Sequence, residues 1–522
     1  MNRLQKGDLV QALYKGEVPI SIEEEIILPD YCPDITRVLR LEGVCVVDKC
    51  RATLQEGAVA GEVSGRVWFT LLYNDGDTGC ESFTFSKDFS GSVKRDRMKN
   101  ADVMPDTVFT MAYVVSTSFT PKPLSKRKLL ARGDIKVGLD VFANAQFDYY
   151  NPADDLEKGV ADVETRKCMG VRFSGGKSEG FEISEQIKLP ASLPPAEKVL
   201  SADAILSVDS KHPRADEVSV FSTVVFRILY LSEANDEGVQ ECVSFYQPVE
   251  VRNTLLVDDC AEDSVVRARG GAGKVTCEIV PDNFGERRLF SLSCPYNVSC
   301  AVLENCETEL VSDIYGVGSD VSGVEEVVNF SEYIGEVTQN TPFREKLVSK
   351  SDGVSFEGLS GSVSLKNSSI TDAGAFVDVR FDVSAFGIDN KRVVDTFKES
   401  VDMKIPVNLP DSVIKKLGTS ECEMDSVVSL SFVDCQVVGG EIEVAGEVSV
   451  NSQIYKKSDE RYYKNVEFQE CEKKKRGVLF YFPSEEDTLW SVGKKYKVSR
   501  AALCRENGIE NGILPAVCKI PK

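Results

Sequence analysis

The sequence contains almost no histidine: His212 is the one histidine among 522 residues. Ser-His-Asp triads, Cys-His pairs and two-histidine metal sites all need an imidazole as a base or a ligand, together with placed partners. The composition therefore argues against each of these classes of site. His212 itself stands in DSKHPRAD, directly before Pro213, a setting that predicts a solvated loop residue.

Long apolar runs and an excess of basic charge are also missing. No stretch approaches the roughly 18 apolar residues that a membrane helix needs, and the opening MNRLQKGDLVQALYKGEVP lacks the apolar core of an export signal. Lys and Arg number 61 against 83 Asp and Glu, which gives a formal charge of −22. Such a charge repels phosphate backbones and anionic lipid heads. We therefore expect a cytosolic protein whose partners include neither nucleic acid nor a membrane.

Motifs that bind metals or nucleotides are missing as well. The sixteen cysteines include no C-x-x-C pair, so no common zinc pattern is present, and we interpret them as reduced, mostly buried thiols. Two glycine-lysine stretches, GGAGKV at 270–275 and GGKS at 175–178, each lack a required residue of the phosphate-binding loop. The sequence therefore predicts neither a metal nor a cofactor.

Alternation with a period of two is what the sequence has in abundance. In VDVRFDVSA, at 377–385, apolar residues occupy the odd positions and polar residues the even ones. The same alternation runs through EIEVAGEVSV at 441–450, directly after Gly439-Gly440, a typical hairpin turn. Neighbouring residues of a strand point to opposite faces, so these patterns predict strands with one buried face. Antiparallel β structure is the fold class that accounts for them most simply.

Part of the pattern repeats along the chain. IEEEIILPDYCPDITRVL, from residue 22, aligns without a gap with ISEQIKLPASLPPAEKVL, from residue 183. VWFTLLY and CESF of the first copy match VVFRILY and CVSF of the second at a similar offset. Each repeat is predicted to open with a strand and a Leu-Pro turn, to contain a short helical piece ending in Val-Leu, and to continue in strands. A third copy keeps the strands but lacks the Leu-Pro opening.

These repeats define the predicted domains. The predicted units are an N-terminal tail at 1–15, β domains at 16–150, 178–315 and, in divergent form, 340–468, a basic linker at 469–477 and a C-terminal domain at 478–522. Polar, Gly-bearing stretches near 151–178 and 316–340 are predicted as linkers. The basic linker contains Lys473, Lys474, Lys475 and Arg476. We interpret it as a solvated hinge, with an electrostatic handle for an acidic partner as the alternative.

The C-terminal domain combines strand and helix patterns. VLFYF, at 478–482, and VCKIP, at 517–521, predict two short strands. Between them Asp487 or Thr488 can cap a helix with one apolar stripe, and Ser499 can cap a second helix that Asn507-Gly508 ends. The pattern predicts a small βααβ domain whose two helices share one core.

At these residues the C-terminal domain resembles the LysM domain. The matching residues are Asp487, Thr488, Leu489, Trp490, Tyr496, Ser499, Leu503, Asn507, Ile520 and Pro521. LysM domains hold N-acetylglucosamine chains in a groove between the loop after the first strand and the loop before the second. In this chain Glu485 and Glu486 stand before Asp487, where the family has a glycine, and Ala516 replaces the glycine of the second loop. The loss of glycines where backbone must approach a sugar favours a protein ligand, with a glycan as the alternative.

Tandem β repeats with the LPDYCPDITRVL opening, followed by a LysM-like domain, resemble the SPOCS domains of SipL-type spore-coat morphogenetic proteins of anaerobic spore formers. The resemblance covers nearly the whole chain and implies a mainly β fold, with tandem antiparallel sandwich-like or barrel-like SPOCS domains before a LysM domain. It also implies a non-enzymatic adapter in the mother-cell cytoplasm at the forespore surface. In that role the LysM domain binds the coat-base ATPase (SpoIVA-like), and the SPOCS domains recruit or bridge other coat proteins. A hydrolase with paired carboxylates, such as those of PADDLE at 152–157, is a third hypothesis, although these residues lie in a predicted linker.

Four residues of the two helices are candidates for contact with a partner. Trp490 lies about 100° from the Leu489 stripe and shares its face with Lys494 and Lys497, a composition typical of binding hot spots. Half-buried packing of Trp490 is the alternative. Arg500 follows the cap of the second helix, where the helix dipole disfavours a cation, so local stability does not account for it. The remaining motif residues are predicted to be structural: Asp487, Thr488, Leu489, Tyr496, Leu503 and Asn507.

Overall fold

The computed structural model describes residues 3–55, 58–76, 80–96, 102–350, 355–371, 373–389, 392–417, 421–438, 441–470 and 478–521. Over these residues the chain is mainly β, and all of its paired strands run antiparallel. The predicted fold class is therefore confirmed at the level of mainly antiparallel β structure. Two predicted features, the Gly439-Gly440 turn and the basic residues within 471–477, lie outside the described residues.

The first unit of the chain consists of two sheets that share one core. Its elements are β1 Leu4–Ile27, β2 Arg37–Gln55, β3 Ala58–Asn74, β4 Cys80–Asp96, β5 Asp102–Val103, a 3-10 helix Pro105–Thr107, β6 Phe109–Ser125 and β7 Lys128–Tyr150. One sheet holds β1, β5 and β6 against β7, and the other has the order β2-β3-β4. Val67, Leu71 and Ile135 are completely buried in the core of the unit. The long first strand thus pairs with the long last strand and closes the unit.

The second and third units repeat this strand order. After α1 Ala153–Glu157, the second unit contains β8 Ala161–Lys188, β9 Ala196–Arg214, β10 Glu217–Ser232, β11 Cys242–Leu256, β12 Val265–Ala272, β13 Thr276–Val280 and β14 Leu289–Gly316. The third contains β15 Ser319–Lys350, β16 Ser355–Thr371, β17 Gly374–Asp389, β18 Arg392–Val407, α2 Asp411–Leu417, β19 Cys422–Val438 and β20 Glu441–Glu470. In each unit the first and last strands again pair, β8 with β14 and β15 with β20. Each unit also has its own buried apolar cluster.

Several predicted boundaries are wrong, because strands run through them. Residues 4–15, predicted as part of a tail, form the first half of β1. Most of 151–178 belongs to β8, and most of 316–340 belongs to β15. The Val-Leu segments predicted as helical pieces lie in β2 and β9. In each case main-chain pairing with a neighbouring strand holds the segment in the extended conformation.

The Leu-Pro segments form loops that an arginine of a neighbouring turn holds. The guanidinium of Arg127 donates hydrogen bonds to the carbonyl oxygens of Pro29, at 2.5 Å, and Cys32, at 3.1 Å. Arg288 donates in the same way to the carbonyl oxygen of Leu193, at 2.9 Å. The sequence repeat thus corresponds to a repeated loop, which an arginine side chain holds in each of the first two units.

The three units contact one another and form one body, the β body, within residues 3–470. An apolar cluster at their junction contains Leu39, Leu72, Cys80, Leu200, Leu229, Leu231, Cys242 and Phe386. Beside it, Arg40 of the first unit donates to the carbonyl oxygen of Gly358 at 2.5 Å. Arg227 of the second unit donates to the carbonyl oxygen of Gly361 at 2.6 Å. The units are therefore joined by buried contacts as well as by chain continuity.

The C-terminal segment, residues 478–521, has its own small core. Its elements are β21 Val478–Tyr481, α3 Leu489–Tyr496, α4 Arg500–Asn507 and β22 Cys518–Pro521. β21 pairs with β22 in a two-stranded sheet. Val492, Leu503, Cys518 and Ile520 are buried between this sheet and the two helices.

Candidate functional site

The two helices of the C-terminal segment begin and end at residues whose side chains suit those positions. Thr488 caps α3 by accepting a hydrogen bond from the Ser491 N–H, and the Ser491 hydroxyl accepts from the Thr488 N–H in return. Ser499 caps α4 by accepting from the Ala502 N–H, and Gly508 ends that helix in the left-handed conformation with φ +61°. Both helices are therefore fixed locally before any long-range contact is considered.

The other motif residues also have local roles. One carboxylate oxygen of Asp487 accepts hydrogen bonds from the Tyr481 hydroxyl, at 2.9 Å, and from the Ser484 N–H, at 2.8 Å. These bonds, the Ser484 N–H first, hold the pKa of Asp487 below its usual value. Asn507 joins α4 to β22, because its side chain donates to the Lys519 carbonyl oxygen and accepts from the Lys519 N–H. The core of the segment takes in the remaining three, Leu489, Tyr496 and Leu503.

The four residues predicted to bind a partner lie together against the β body. We call Trp490, Gly493, Lys494, Lys497 and Arg500 the docking face. Opposite it are Asp162, Asp313, Tyr315 and Asp320, which we call the acceptor site. Asp162 pairs with Tyr315 across the β8–β14 ladder, and Asp320 follows at the start of β15. Three strand ends thus supply a single acidic surface.

Arg500 makes the most extensive contact of the docking face. Its Nε and Nη2 atoms donate to one carboxylate oxygen of Asp162, at 3.0 and 2.6 Å, and its main-chain N–H donates to the other oxygen at 2.8 Å. The carboxylate therefore lies at the N-terminus of α4, where the helix dipole favours negative charge. Asp162 supplies the compensation that is missing when Arg500 is viewed within its own helix.

Trp490 is held by three groups at once. Its indole N–H donates to an oxygen of Asp313 at 3.0 Å. Its ring meets the Tyr315 ring edge to face with centroids 4.9 Å apart, and the Arg500 guanidinium lies 5.0 Å from the indole. Half-buried packing, the alternative interpretation of this residue, describes its place here.

Two ion pairs and a main-chain hydrogen bond complete the contact between the docking face and the acceptor site. The Lys494 ammonium lies 2.5 Å from Asp313, and Lys497 forms an ion pair with Asp320. The Gly318 N–H donates to the Lys497 carbonyl oxygen at 2.8 Å. A Cβ atom at Gly493 would lie 2.3 Å from the Tyr315 hydroxyl, so only glycine allows this approach.

The electrostatics of the acceptor site match its cationic neighbour. Burial opposes ionisation of Asp162, but its hydrogen bonds from Arg500 outweigh burial and lower its pKa. The pKa of Asp313 is lowered in the same way, by Lys494 and Trp490 acting against burial. Burial, followed by the charge of Asp162, raises the pKa of Tyr315. The site thus holds two carboxylates charged beside a neutral phenol.

The sequence did not point to the acceptor site. Asp162 lay in a predicted linker, and Asp313 and Tyr315 lay at the end of a predicted β domain. Arg500 is 338 positions from Asp162, and no local pattern reports a contact of that range. The one hint in the sequence was Arg500, a cation at a helix N-terminus, where the helix dipole disfavours positive charge.

One carboxylate of the hydrolase hypothesis, that of Asp155, has a structural role. Asp155 is completely buried, accepts from the Tyr150 hydroxyl at 2.7 Å and pairs with Arg3 at 2.9 Å. Among the described residues no group of three or more His, Cys, Asp or Glu side chains could hold a metal. Over the same part of the chain, no helix has both the length and the apolar character needed to span a bilayer.

Comparison of the chain with family models, with curated proteins and with solved structures finds no match. Function is therefore inferred from the residues and from the geometry given above.

Proposed function

We propose that the chain is a non-enzymatic adapter of the SipL type in spore-coat assembly. In this proposal the three β units are SPOCS domains that recruit or bridge other coat proteins. The C-terminal segment is a LysM domain that binds the coat-base ATPase (SpoIVA-like). The protein acts in the mother-cell cytoplasm, at the forespore surface.

One observation supports the proposal most: the docking face fixes the C-terminal segment on the β body. Five residues of the segment contact the body through paired charges, an aromatic pair and a main-chain hydrogen bond. An adapter must relate two binding regions in space, and a rigid contact of this kind does so. A hydrolase would instead need an acid or base left free to meet a substrate.

The contacts change the role we assign to the four candidate residues. Trp490, Lys494, Lys497 and Arg500 each have a partner within the chain. We propose that they position the segment, and that the partner binds the part of the segment that stays exposed. Their substitution then weakens binding indirectly, by releasing the segment from the body.

Binding of a glycan is the second candidate, and one observation favours it. Phe482 and Ile513, 71% and 70% exposed, lie in the loop after β21 and in the loop before β22, the two loops between which LysM domains hold sugars. Aromatic and apolar side chains beside such loops are suited to stacking on sugar rings. Against it stand Glu485 and Glu486, which place two carboxylates in the first loop.

A binding experiment with the full chain separates these functions. The chain is titrated by calorimetry with the purified coat-base ATPase and, separately, with N-acetylglucosamine oligomers. The proposal expects saturable binding of the ATPase and none of the oligomers. Retention of the oligomers without binding of the ATPase would contradict the adapter function and support the glycan function.

A further inference from the structure

The outer edge of β21 is open in the described part of the chain. On the other side of the two-stranded sheet, the side-chain oxygen of Asn507 accepts from the Lys519 N–H at 2.6 Å, and its side-chain nitrogen donates to the Lys519 carbonyl oxygen at 2.8 Å. Lys519 pairs with Phe480. In an antiparallel ladder, two directly opposed residues either both point their N–H and C=O groups toward each other or both point them away from each other. The N–H and C=O of Phe480 therefore face outward from β21. No other described strand pairs with this edge.

Apolar side chains lie beside the open edge. Leu479 and Tyr481 pack against the core of the segment, so the alternate residues Phe480 and Phe482 point away from it. Phe480 is 61% exposed and Phe482 is 71% exposed, and Val517, directly before β22, is 45% exposed. Two neighbouring aromatic side chains left in solvent next to an unpaired edge are typical of a surface that another chain covers.

Carboxylates lie at one end of this surface. Glu485 and Glu486 follow Phe482 by three and four positions, and both are exposed. Within the described residues neither forms an ion pair with Lys or Arg, unlike the carboxylates of the acceptor site. Among the described residues the surface therefore offers main-chain hydrogen bonds, an apolar face and negative charge that no Lys or Arg pairs with.

We propose that the outer edge of β21, with Phe480 and Phe482 beside it, receives an extended segment of a protein partner that alternates apolar side chains and carries Lys or Arg. Such a segment adds a strand to the sheet, because its main chain pairs with β21 and every second side chain covers the two aromatic rings. Its cations meet Glu485 and Glu486. A sugar chain cannot use the strand edge in this way. The inference rests on the proposed function and places the partner on the sheet of the segment, away from the docking face.

The test compares variants of the full chain in binding to the coat-base ATPase. Phe480→Ser with Phe482→Ser raises the Kd about tenfold or more, because the exposed rings supply the apolar contact. The charge reversal Glu485→Lys with Glu486→Lys raises the Kd independently. The matched control is Phe284→Ser, since Phe284 is 86% exposed on the second unit, and this variant binds as the unaltered chain does. Hydrogen exchange of residues 478–482 slows in the complex.

Three results would contradict the proposal, and they lead to different conclusions. Failure of the unaltered chain to bind the ATPase overturns the proposed function and this inference with it. Normal binding by both double variants, with protection confined to 489–507, overturns this inference alone. Loss of glycan binding or of self-association in the Phe480 and Phe482 variant, with ATPase binding intact, also overturns it, because the occupant is then a sugar or a second copy.

Discussion

At the scale of single residues, the contact between Arg500 and Asp162 is the most extensive one that the docking face makes. The Asp162 carboxylate is largely buried and accepts from the guanidinium, from a main-chain N–H and, at 3.0 Å, from the Tyr315 hydroxyl. Buried charge of this kind is retained only where hydrogen bonds compensate it. Removing either partner therefore leaves the other charge unpaired.

The first prediction concerns Asp162→Asn. The change keeps an oxygen acceptor but removes the charge, and we expect docking to weaken by about 1–2 kcal/mol. Tryptophan fluorescence measures the change in docking directly, because Trp68 and Trp490 are the two tryptophans of the chain. In a Trp68→Phe background, quenching of Trp490 by acrylamide should increase in the variant. Asp320→Asn, at an exposed ion pair, is the control and should change the quenching less.

The second prediction concerns pH. Asp162 and Asp313 have a lowered pKa in the folded chain, so their contribution to docking is complete above the unfolded value of about 3.9 and is lost as the pH falls below it. Quenching of Trp490 should therefore be constant from neutral pH to about pH 5 and rise in more acidic solution. The double variant Asp162→Asn, Asp313→Asn should lack this rise. An equal rise in the double variant would assign the pH dependence to other groups.

At the scale of elements, the helices of the C-terminal segment are the part of the fold that the sequence specified best. Of the two candidate caps of α3, Asp487 and Thr488, the structure shows Thr488, and the expected cap Ser499 and stop Gly508 of α4 are the ones observed. The alternation at 377–385 likewise corresponds to β17, in which the odd positions from 377 to 385 are buried. These features depend on residues within a few positions of one another, which is the range that local patterns report.

The strands read as linkers show where such patterns fail. Residues 166–167 and 172–182 of β8 are largely exposed or half-buried, and the stretch contains Gly175, Gly176 and several charged residues. Its strand conformation comes from pairing with β14 along the whole ladder. A pairing partner more than a hundred positions away leaves no trace in local composition, so the linker prediction was wrong for a long-range reason.

The third prediction concerns Leu503, at the centre of α4. Leu503 is completely buried, so Leu503→Asp places an unpaired charge in the core and should unfold the C-terminal segment, at a cost above about 3 kcal/mol. Ala501→Asp is the matched control on the same helix, because Ala501 is exposed. Two-dimensional NMR of methyl-labelled chain should show loss of the native Val492 and Ile520 signals, two other buried residues of this core, in the first variant alone. Retention of those signals would contradict the described core.

At the scale of the whole molecule, the three β units are joined by a buried charge cluster as well as by their apolar junction. Asp425 of the third unit lies 3.2 Å from Arg269 of the second and 3.4 Å from Lys15 of the first. Burial opposes its ionisation, but Arg269 and Lys15 outweigh burial and lower its pKa. One carboxylate thus bridges two other units. The sequence repeat suggested separate domains and gave no sign of this contact, because the partners lie far apart in the chain.

The fourth prediction follows from that bridge. Asp425→Ala leaves the buried Arg269 without its carboxylate partner and leaves Lys15 with Glu423 alone, and we expect the free energy of unfolding to fall by about 3–5 kcal/mol. Urea unfolding followed by circular dichroism measures the change. Asp402→Ala removes an exposed ion pair with Lys366 in the same unit and should leave stability nearly unchanged. Equal effects of the two variants would show that the bridge does not join the units.

Hydrogen exchange of the full chain tests the docked arrangement most directly. The unaltered chain is compared with the double variant Asp162→Asn, Asp313→Asn, and peptides covering residues 489–507 are followed by mass spectrometry. We predict faster exchange in these peptides in the variant, while the strands of the β body keep their protection. Identical exchange of 489–507 in the two chains would contradict the docked arrangement.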